Sequence, residues 1–151
     1  EAVLRMFIDW ARKKGPPLQQ TGKLWEVACL SFYVKQDRAI SQMLQRLTGD
    51  KRVTRFVVRD APVEIVCGTV DRFQGREADL VLLSMRNTGR IGFLDSPNRL
   101  NVAVTRARQQ LVVVGNAAYF KSCRVTELEA LAQQTQELQL SELQRGRRTQ
   151  S

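Results

Sequence analysis

Two arginines at the end of a helix-like run are the residues with the clearest chemical potential in this chain. Arg106 and Arg108 lie in "NRLNVAVTRARQQLVVVG" (98–115), where an apolar run ending in glycine follows them. A planar guanidinium grips a phosphate through two hydrogen bonds, whereas a lysine ammonium acts as a point charge. Arginine outnumbers lysine 18 to 6, and the net charge is +9. This composition indicates a polyanionic partner, a nucleic acid or a nucleotide, and a basic surface that only keeps the protein soluble is the alternative.

The cysteines and apolar runs argue against several other classes of protein. Cys29, Cys67 and Cys123 are an odd number without close spacing, and the chain has no histidine. Neither a disulfide framework nor a metal site is therefore predicted, and Cys29 and Cys67 are expected to be buried free thiols. The longest apolar runs are far shorter than a bilayer span and no leader is recognisable. We expect a soluble intracellular protein, cytoplasmic or nuclear, that makes no membrane contact.

The predicted helices and strands that must position the two arginines alternate along the chain. Hydrophobic periodicity predicts an amphipathic first helix that ends before "GPP", and it places Trp10 and Trp25 in the core. Predicted helices cover 1–14, 36–47 and Pro97 to about Arg108, and predicted strands cover 25–33, 55–60, 63–70, 78–85 and "QLVVVG" (110–115).

Strands separated by helices predict an α/β fold with a mainly parallel sheet covered on both faces. Ligands of such sheets gather at the carboxyl ends of the strands, so we expect the loops 68–77 and 86–96 to meet at one edge. The composition shifts to Gln, Glu and Leu after Arg124. The predicted domain therefore covers 1–123, and 124–151 is a Gln/Leu-rich helical extension with a basic tail.

Three segments in this order resemble motifs IV, V and VI of superfamily 1 helicases. They are "LSFYVKQ" (30–36), "GTVDRFQGREADLVLLS" (68–84) and "NRLNVAVTRARQQLVVVG" (98–115). The resemblance is nearest to the group typified by the nonsense-mediated-decay RNA helicase and senataxin, and "DRFQGRE" with "RLNVAVTRAR" makes it specific. It implies the second of two RecA-like domains, a three-layer fold of the P-loop NTPase type. ATP would sit between the two domains, and single-stranded nucleic acid would cross both.

The other RecA-like domain of the family normally carries the phosphate loop G-x-x-x-x-G-K-[ST] and an acidic pair that holds Mg²⁺. This chain contains no such Walker A motif. The resemblance therefore implies that ATP and Mg²⁺ are bound mainly by an N-terminal RecA-like domain of the same polypeptide. The chain by itself is expected to be inactive.

Arg106, in "TRAR", matches the motif VI arginine that reaches across the cleft to the γ-phosphate. An arginine supplied in this way contributes about 10³ to 10⁵ to the rate of phosphoryl transfer. The alternative for Arg106 is a helix-end arginine that interacts with the helix dipole or with a carboxylate. Arg108 is expected to point to another side of the predicted helix as a surface or supporting residue.

The loop "QGRE" matches the part of motif V that contacts the nucleotide. Glu77 matches a glutamate used at the ribose, and Gln74 and Gly75 belong to the same loop. A carboxylate accepts hydrogen bonds from ribose hydroxyls without discriminating the base. An ordinary salt bridge between Arg76 and Glu77 is the alternative.

Motif IV supplies the remaining predicted contacts to ATP. Tyr33 matches a tyrosine that stacks near the adenine, a role that suits an aromatic face, and Gln36 closes the motif. The segment departs from the family's T-P-Y-x-x-Q at Ser31 and Phe32.

Ser31 and Thr69 match hydroxyl positions that contact the phosphate backbone of the nucleic acid. Such contacts position a strand without reading its sequence. Hydrogen bonds from these hydroxyls to the local backbone are the alternative. The basic segment "KRVTRFVVR" (51–59) either lines a nucleic-acid groove or forms a half-exposed strand, and the second is favoured.

The leading hypothesis is the C-terminal motor domain of an ATP-dependent helicase or translocase, an ATP hydrolase that acts on single-stranded RNA or DNA. The alternative is a non-catalytic nucleic-acid-binding or scaffold module derived from a helicase. Discrimination between RNA and DNA depends on contacts to the 2′-hydroxyl, and these motifs leave that choice open.

Overall fold

Five helices and five strands lie within residues 1–17, 23–85 and 97–136, the ranges that the computed structural model of the protein describes. The helices are α1 (Ala2–Lys14), α2 (Val34–Thr48), α3 (Pro97–Val104), α4 (Ala117–Ser122) and α5 (Thr126–Gln134). The strands are β1 (Trp25–Ser31), β2 (Arg55–Val57), β3 (Val63–Thr69), β4 (Ala78–Ser84) and β5 (Ala107–Val114). A short 3-10 helix, Asp71–Phe73, follows β3.

The strands form one sheet in the order β2-β3-β1-β4-β5. β3, β1, β4 and β5 are parallel, and only the short strand β2 pairs in the antiparallel direction, at the edge. The central strand β1 is buried along nearly its whole length, as expected for a parallel strand covered on both faces. The predicted α/β fold with a mainly parallel sheet is confirmed.

Two hydrophobic layers cover the sheet. On one face Leu4 and Ile8 of α1 and Leu44 of α2 pack against β1 and β3, and this layer contains both buried thiols, Cys29 and Cys67. Each fully buried leucine of this kind contributes about 1.5 to 3 kcal/mol through the hydrophobic effect. These contacts fix the first layer of helices on the sheet.

The opposite face is covered by the later part of the chain. Leu100 of α3, Phe120 of α4 and Leu128 of α5 are buried there against β1 and β4. Helices therefore lie on both sides of the sheet, which gives the predicted three layers. α5 packs onto this layer, so the described part of the Gln/Leu-rich extension folds back onto the domain.

The helix predicted from Pro97 to about Arg108 is shorter than expected. It ends at Val104, and Arg108 belongs to β5, so its prediction as a helical residue is wrong. The amide of Arg106 donates to the carbonyl of Ala103 at 3.3 Å, which tightens the last turn. From Ala107 onward the chain pairs with β4, and the strand pairing replaces helical hydrogen bonds.

Trp10 is not a core residue, contrary to the prediction. Its exposed fraction is 43%, whereas that of Trp25 is 8%. The ring of Trp10 lies 5.0 Å from that of Trp25 and 5.3 Å from that of Phe7, at the surface of the helical layer. Hydrophobic periodicity predicts that this face of α1 is apolar, but it does not show how much of the face neighbouring residues cover.

Two predicted segments, the loop 86–96 and the tail from 137 onward, lie outside the described residues. None of the helices in the described ranges combines the length and the hydropathy needed to cross a bilayer.

Candidate nucleotide and nucleic-acid site

Arg106 is half-buried at the junction between the end of α3 and the start of β5. Its Nε donates to the carbonyl of Val102 in the last helical turn at 3.0 Å, which is the helix-end interaction considered as the alternative. Longer contacts of 3.4 Å join Nη2 to the Thr105 hydroxyl and Nη1 to the carbonyl of Arg76. A guanidinium has five N–H donors, so three contacts to described residues leave donors that can bind a phosphate.

The backbone holds Arg106 against the loop 74–77. The carbonyl of Arg106 accepts a hydrogen bond from the amide of Ala78 at 3.0 Å, in addition to the contact from Nη1 to Arg76. Two segments that lie 30 residues apart in the sequence therefore meet at the start of neighbouring parallel strands. The structure brings Arg106 together with the loop that contains Gln74, Gly75 and Glu77.

The loop turns at Gly75, whose φ of +79° lies in the left-handed region that favours glycine. Gln74, Arg76 and Glu77 are exposed. The guanidinium carbon of Arg76 lies 5.2 Å from the centre of the Phe73 ring, and the ion pairs among described residues do not include one between Arg76 and Glu77. The salt bridge considered as an alternative for Glu77 is thus not formed there.

Ser31 and Thr69 lie together at the other end of the sheet. They are register partners at the last residues of β1 and β3, and Ser84 ends β4 at the same level. The Ser31 hydroxyl is fully buried and donates to the carbonyl of Tyr33 at 3.1 Å, as the local-bonding alternative expects. Thr69 is also buried, with 7% of its surface exposed.

Gln36 and Tyr33 belong to this second group. Nε2 of Gln36 donates to the Ser84 hydroxyl at 2.5 Å, and its Oε1 is buried without a hydrogen-bond partner among the described residues. Tyr33 is half-buried and occupies the N-cap position of α2, where its carbonyl accepts from the amide of Asp37 at 3.0 Å. The tyrosine therefore marks the transition from the end of β1 to the helix.

The predicted site residues divide between two edges of the sheet, and only the first part of the loop 68–77 lies at the carboxyl edge where ligands were expected. Arg106 and Glu77 precede the first residues of β5 and β4, whereas Ser31 and Thr69 are the last residues of β1 and β3. Parallel pairing requires the chain to return across the sheet between β3 and β4, and residues 70–77 make that return. The six residue steps of β4 separate the amino edge from the carboxyl edge by about 20 Å.

A charged network at the amino edge was not identified from the sequence. Arg108 on β5 pairs with Glu26 on β1 and donates from Nε to Oδ1 of Asp79 on β4 at 3.1 Å. The hydrogen bond to Glu26 is the main cause that raises the pKa of Arg108. In the sequence, charged residues at these three positions alternate with apolar ones, and this alternation does not show which charged residues pair with each other.

A second missed contact joins α3 to the 3-10 helix. Nε of Arg99 donates to Oδ1 of Asp71 at 3.0 Å, which ties the motif VI helix to the motif V loop. The site therefore has side-chain connections between the two motifs as well as the backbone connection at Arg106.

The donors in the described ranges suit phosphate and not a metal ion. Those residues contain no group of three Cys, Asp or Glu side chains that could hold a cation. Within these ranges there is therefore no cage for the Mg²⁺ that the family resemblance implies. Arg106 and the polar loop beside it present N–H groups, which fit an anionic ligand.

Comparison with known proteins identifies the family. The profile of a family described as "AAA domain" matches residues 5–118. DNA polymerase alpha-associated DNA helicase A of Saccharomyces cerevisiae is 49% identical over 63 residues, which are 40% of this chain and 9% of that protein. The probable helicase MAGATAMA 3 of Arabidopsis thaliana is 49% identical over 110 residues, 71% of this chain and 12% of that protein.

A third relative comes from the nonsense-transcript group. The regulator of nonsense transcripts 1 homolog of Drosophila melanogaster is 52% identical over 56 residues, 35% of this chain and 5% of that protein. The chain thus spans about a tenth or less of the length of these relatives. The profile match, the helicase relatives and the five-stranded sheet agree with one another. The chain belongs to this AAA domain family, and it is a RecA-like domain of the Upf/senataxin-like superfamily 1 helicases.

Proposed function

We propose that this chain is the C-terminal motor domain of an ATP-dependent helicase or translocase acting on single-stranded RNA or DNA. The observation that carries the proposal is the junction of Arg106 with the loop 74–77, in which Nη1 of Arg106 contacts the carbonyl of Arg76 at 3.4 Å. An arginine beside a polar loop at one sheet edge suits a phosphate and its neighbouring ribose.

In this proposal Arg106 neutralises charge on the γ-phosphate during hydrolysis. Glu77 accepts hydrogen bonds from the ribose hydroxyls, and Gln74 and Gly75 shape the loop that presents it. The N-terminal RecA-like domain holds Mg²⁺ and most of the triphosphate. Closure of the cleft between the two domains brings Arg106 to its target, so the arginine serves as a finger supplied from the second domain.

Tyr33 and Gln36 stay predictions as contacts to ATP. They lie at the carboxyl edge with Ser84, about 20 Å along the strands from the edge with Arg106 and Glu77. A base stacked on Tyr33 and a ribose held by Glu77 would have to be adjacent in one nucleotide. The geometry of the domain therefore supports the group around Arg106 more strongly than the motif IV pair.

The carboxyl edge suits the nucleic-acid strand. Thr69 contributes a hydroxyl there. Ser31 is buried and its hydroxyl donates to the carbonyl of Tyr33, so backbone groups beside Ser31 would contact the nucleic acid in its place. The nucleotide and the nucleic-acid strand bind at separate edges of the sheet. Closure of the domains around the nucleotide at the amino edge can therefore shift the contacts to the nucleic acid at the carboxyl edge. This separation is the basis of the proposed translocation.

The test is ATP hydrolysis by the full-length protein, with single-stranded RNA and single-stranded DNA offered separately. We expect hydrolysis that rises when one or both polymers are added. Strand binding without any ATP hydrolysis would favour the scaffold alternative, and the sequence of the remaining polypeptide gives an independent check through its phosphate loop and acidic pair.

A further inference from the structure

A small basic cleft lies on the outer part of the sheet, beside the residues already assigned to the nucleic-acid strand. Its volume is about 200 Å³, and its walls come from β2, the end of β3 and the loop that follows. The lining contains three arginines, Arg55, Arg72 and Arg76, and no acidic residue.

Two of these arginines have guanidinium groups that are not paired with a carboxylate of the described residues. Arg72 and Arg76 are exposed, and neither occurs among the ion pairs of the described ranges. Arg55 differs, because Glu64 binds it through two hydrogen bonds of 2.5 and 2.6 Å. The available positive charge of the cleft is therefore that of Arg72 and Arg76.

Neighbouring groups hold this charge in place. Phe73 is buried at 3% exposure and supports the guanidinium of Arg76, whose central carbon lies 5.2 Å from the ring centre. Asp71 is adjacent to Arg72, but its carboxylate is already paired with Arg99. Glu77 is adjacent to Arg76 but does not line the cleft, and the lining keeps a net positive charge.

The size and lining decide which ligand fits. Pockets for small organic ligands measure roughly 300 to 1,000 Å³ and are mostly apolar, so a cleft of about 200 Å³ lined by arginines suits a phosphate group instead. The cleft borders Gly68, next to Thr69, which we assigned to the nucleic-acid strand. Its place next to that contact favours a phosphate of the same polymer over a free anion.

We propose that Arg72 and Arg76 bind a backbone phosphate of single-stranded nucleic acid in this cleft. The inference rests on the proposed function and extends the strand path from the carboxyl edge of β3 toward β2. Forked N–H donors suit the phosphate oxygens, and the contact carries no base specificity.

The test is binding of labelled single-stranded oligonucleotides by the full-length protein over a series of salt concentrations without ATP. For single strands each lost phosphate contact reduces the magnitude of the slope of log affinity against log salt by about 0.7, so R72Q/R76Q, which loses the one phosphate of the cleft, is expected to reduce it by about 0.7. The loss of affinity should be similar for oligonucleotides of different sequence. R72K/R76K should keep the salt slope but bind more weakly, because ammonium groups lack the fork.

The matched control is R5Q/R46Q, which removes two exposed arginines from α1 and α2 on the opposite face of the sheet. An equal change in the control and in R72Q/R76Q would overturn the inference, since general charge would then explain both. Thermal melting checks that each variant is folded, and R72K/R76K provides the readout if R72Q/R76Q is not.

Two further outcomes separate the possible ligands and hypotheses. ATP affinity is expected to be the same in the single variant R72Q and wild type, because Arg72 lies in the 3-10 helix outside the loop 74–77. Loss of ATP affinity without loss of oligonucleotide binding in R72Q would overturn the assignment to the polymer. A wild-type protein that neither binds the oligonucleotide nor hydrolyses ATP contradicts the proposed function itself. If the wild type binds the oligonucleotide and hydrolyses ATP, and R72Q/R76Q binds the oligonucleotide as the wild type does, only the assignment of the cleft is contradicted.

Discussion

Arg106 and Arg76 are joined through a backbone carbonyl: Nη1 of Arg106 lies 3.4 Å from the carbonyl oxygen of Arg76. The amide of Ala78 in turn donates to the carbonyl of Arg106 at 3.0 Å. The motif V loop and the motif VI arginine are therefore held together by groups that do not depend on the side chains at residues 76 and 78. We expect the arginine and the loop to respond together when a ligand binds at this edge.

Replacing Arg106 tests its role at the γ-phosphate. In the full-length protein Arg106→Ala is expected to lower nucleic-acid-stimulated ATP turnover by about 10³ to 10⁵, because the transition-state charge loses its guanidinium partner. Oligonucleotide binding should stay near the wild-type value, since the proposed strand contacts lie at the other edge. Steady-state ATPase assays and equilibrium binding measure the two effects.

Arg106→Lys and Arg46→Ala are the controls for that experiment. Lysine keeps the charge without the fork, so we expect turnover to stay well below wild type. Arg46 is exposed on α2, and its removal should leave turnover unchanged. Near-normal hydrolysis by Arg106→Ala would contradict the role at the γ-phosphate. Arg106 would then serve only to bind the carbonyl of Val102 at the end of α3.

Glu77→Ala tests the proposed contact to the ribose, because alanine has no side-chain acceptor. Loss of a hydrogen bond from a hydroxyl to a carboxylate, worth about 1.5 kcal/mol, should raise the KM for ATP about tenfold. The effect should shrink for a nucleotide that lacks the 2′- and 3′-hydroxyls, because the group that Glu77 binds is then absent. The preference for ATP over GTP should not change. An equal penalty with and without the hydroxyls argues against a ribose contact.

Gly75→Ala tests whether the shape of the loop matters for hydrolysis. Gly75 has φ +79° and Gly49, at the end of α2, has φ +69°, and a Cβ at either position meets nothing within 4 Å. Each alanine should therefore cost about 1 kcal/mol of unfolding free energy through backbone strain alone. Only Gly75→Ala should also lower ATP turnover, since its loop carries Glu77. Equal turnover in the two variants contradicts the role of the loop.

The order of helices and strands was readable from the sequence because strong local patterns specify it. The apolar run of β4 predicted a strand over 78–85, and the strand covers Ala78–Ser84. The end of α3 was misplaced because "TRAR" is compatible with a helix, and its strand conformation comes from pairing with β4. Trp10 was misassigned because burial depends on neighbouring layers that local periodicity does not describe.

The site was harder to predict, because its main contacts are not encoded in side-chain types. The carbonyl of Arg76 that meets Arg106 is a group that every residue carries, so no residue type signals it. Motif order likewise gave no information on which sheet edge each motif reaches. That division follows from the parallel direction of β3 and β4, because the chain leaves β3 at the carboxyl edge and enters β4 at the amino edge.

Asp79 and Arg108 contribute unequally to the network at the amino edge. Oδ2 of Asp79 accepts from the amide of Glu26 at 3.0 Å, and Oδ1 accepts from Arg108 and Gln109. Its side chain is 13% exposed, whereas those of Arg108 and Glu26 are 40% and 47% exposed. We expect Asp79→Ala to cost about 2 kcal/mol, and Arg108→Ala about 0.5 to 1 kcal/mol.

Chemical denaturation measures these losses, and Arg5→Ala serves as the control because it breaks an exposed pair between residues four apart on α1. That pair should contribute little to stability, because both side chains are exposed and solvent screens their attraction. If Arg108→Ala destabilises the protein as much as Asp79→Ala, the salt bridges rather than the buried carboxylate dominate the network.

Cys29 makes stability depend on pH in the alkaline range. Burial raises the pKa of its thiol to about 12, from an ordinary value of 9.0. Above about pH 9 the unfolded chain loses this proton while the folded protein keeps it, so the free energy of unfolding falls as pH rises toward 12. One such group contributes a slope of up to about 1.4 kcal/mol per pH unit.

Cys29→Ala should remove that part of the slope, as measured by chemical denaturation at several pH values above 9. Burial and a hydrogen bond from Sγ to Asp37 raise the pKa of the Cys67 thiol as well, so part of the alkaline dependence should remain. Val27→Ala is the matched control, because it truncates a buried residue of the same strand without removing an ionisable group. It should lower stability at every pH by a similar amount and keep the wild-type slope. If Cys29→Ala keeps that slope too, ionisation of this thiol does not control alkaline unfolding.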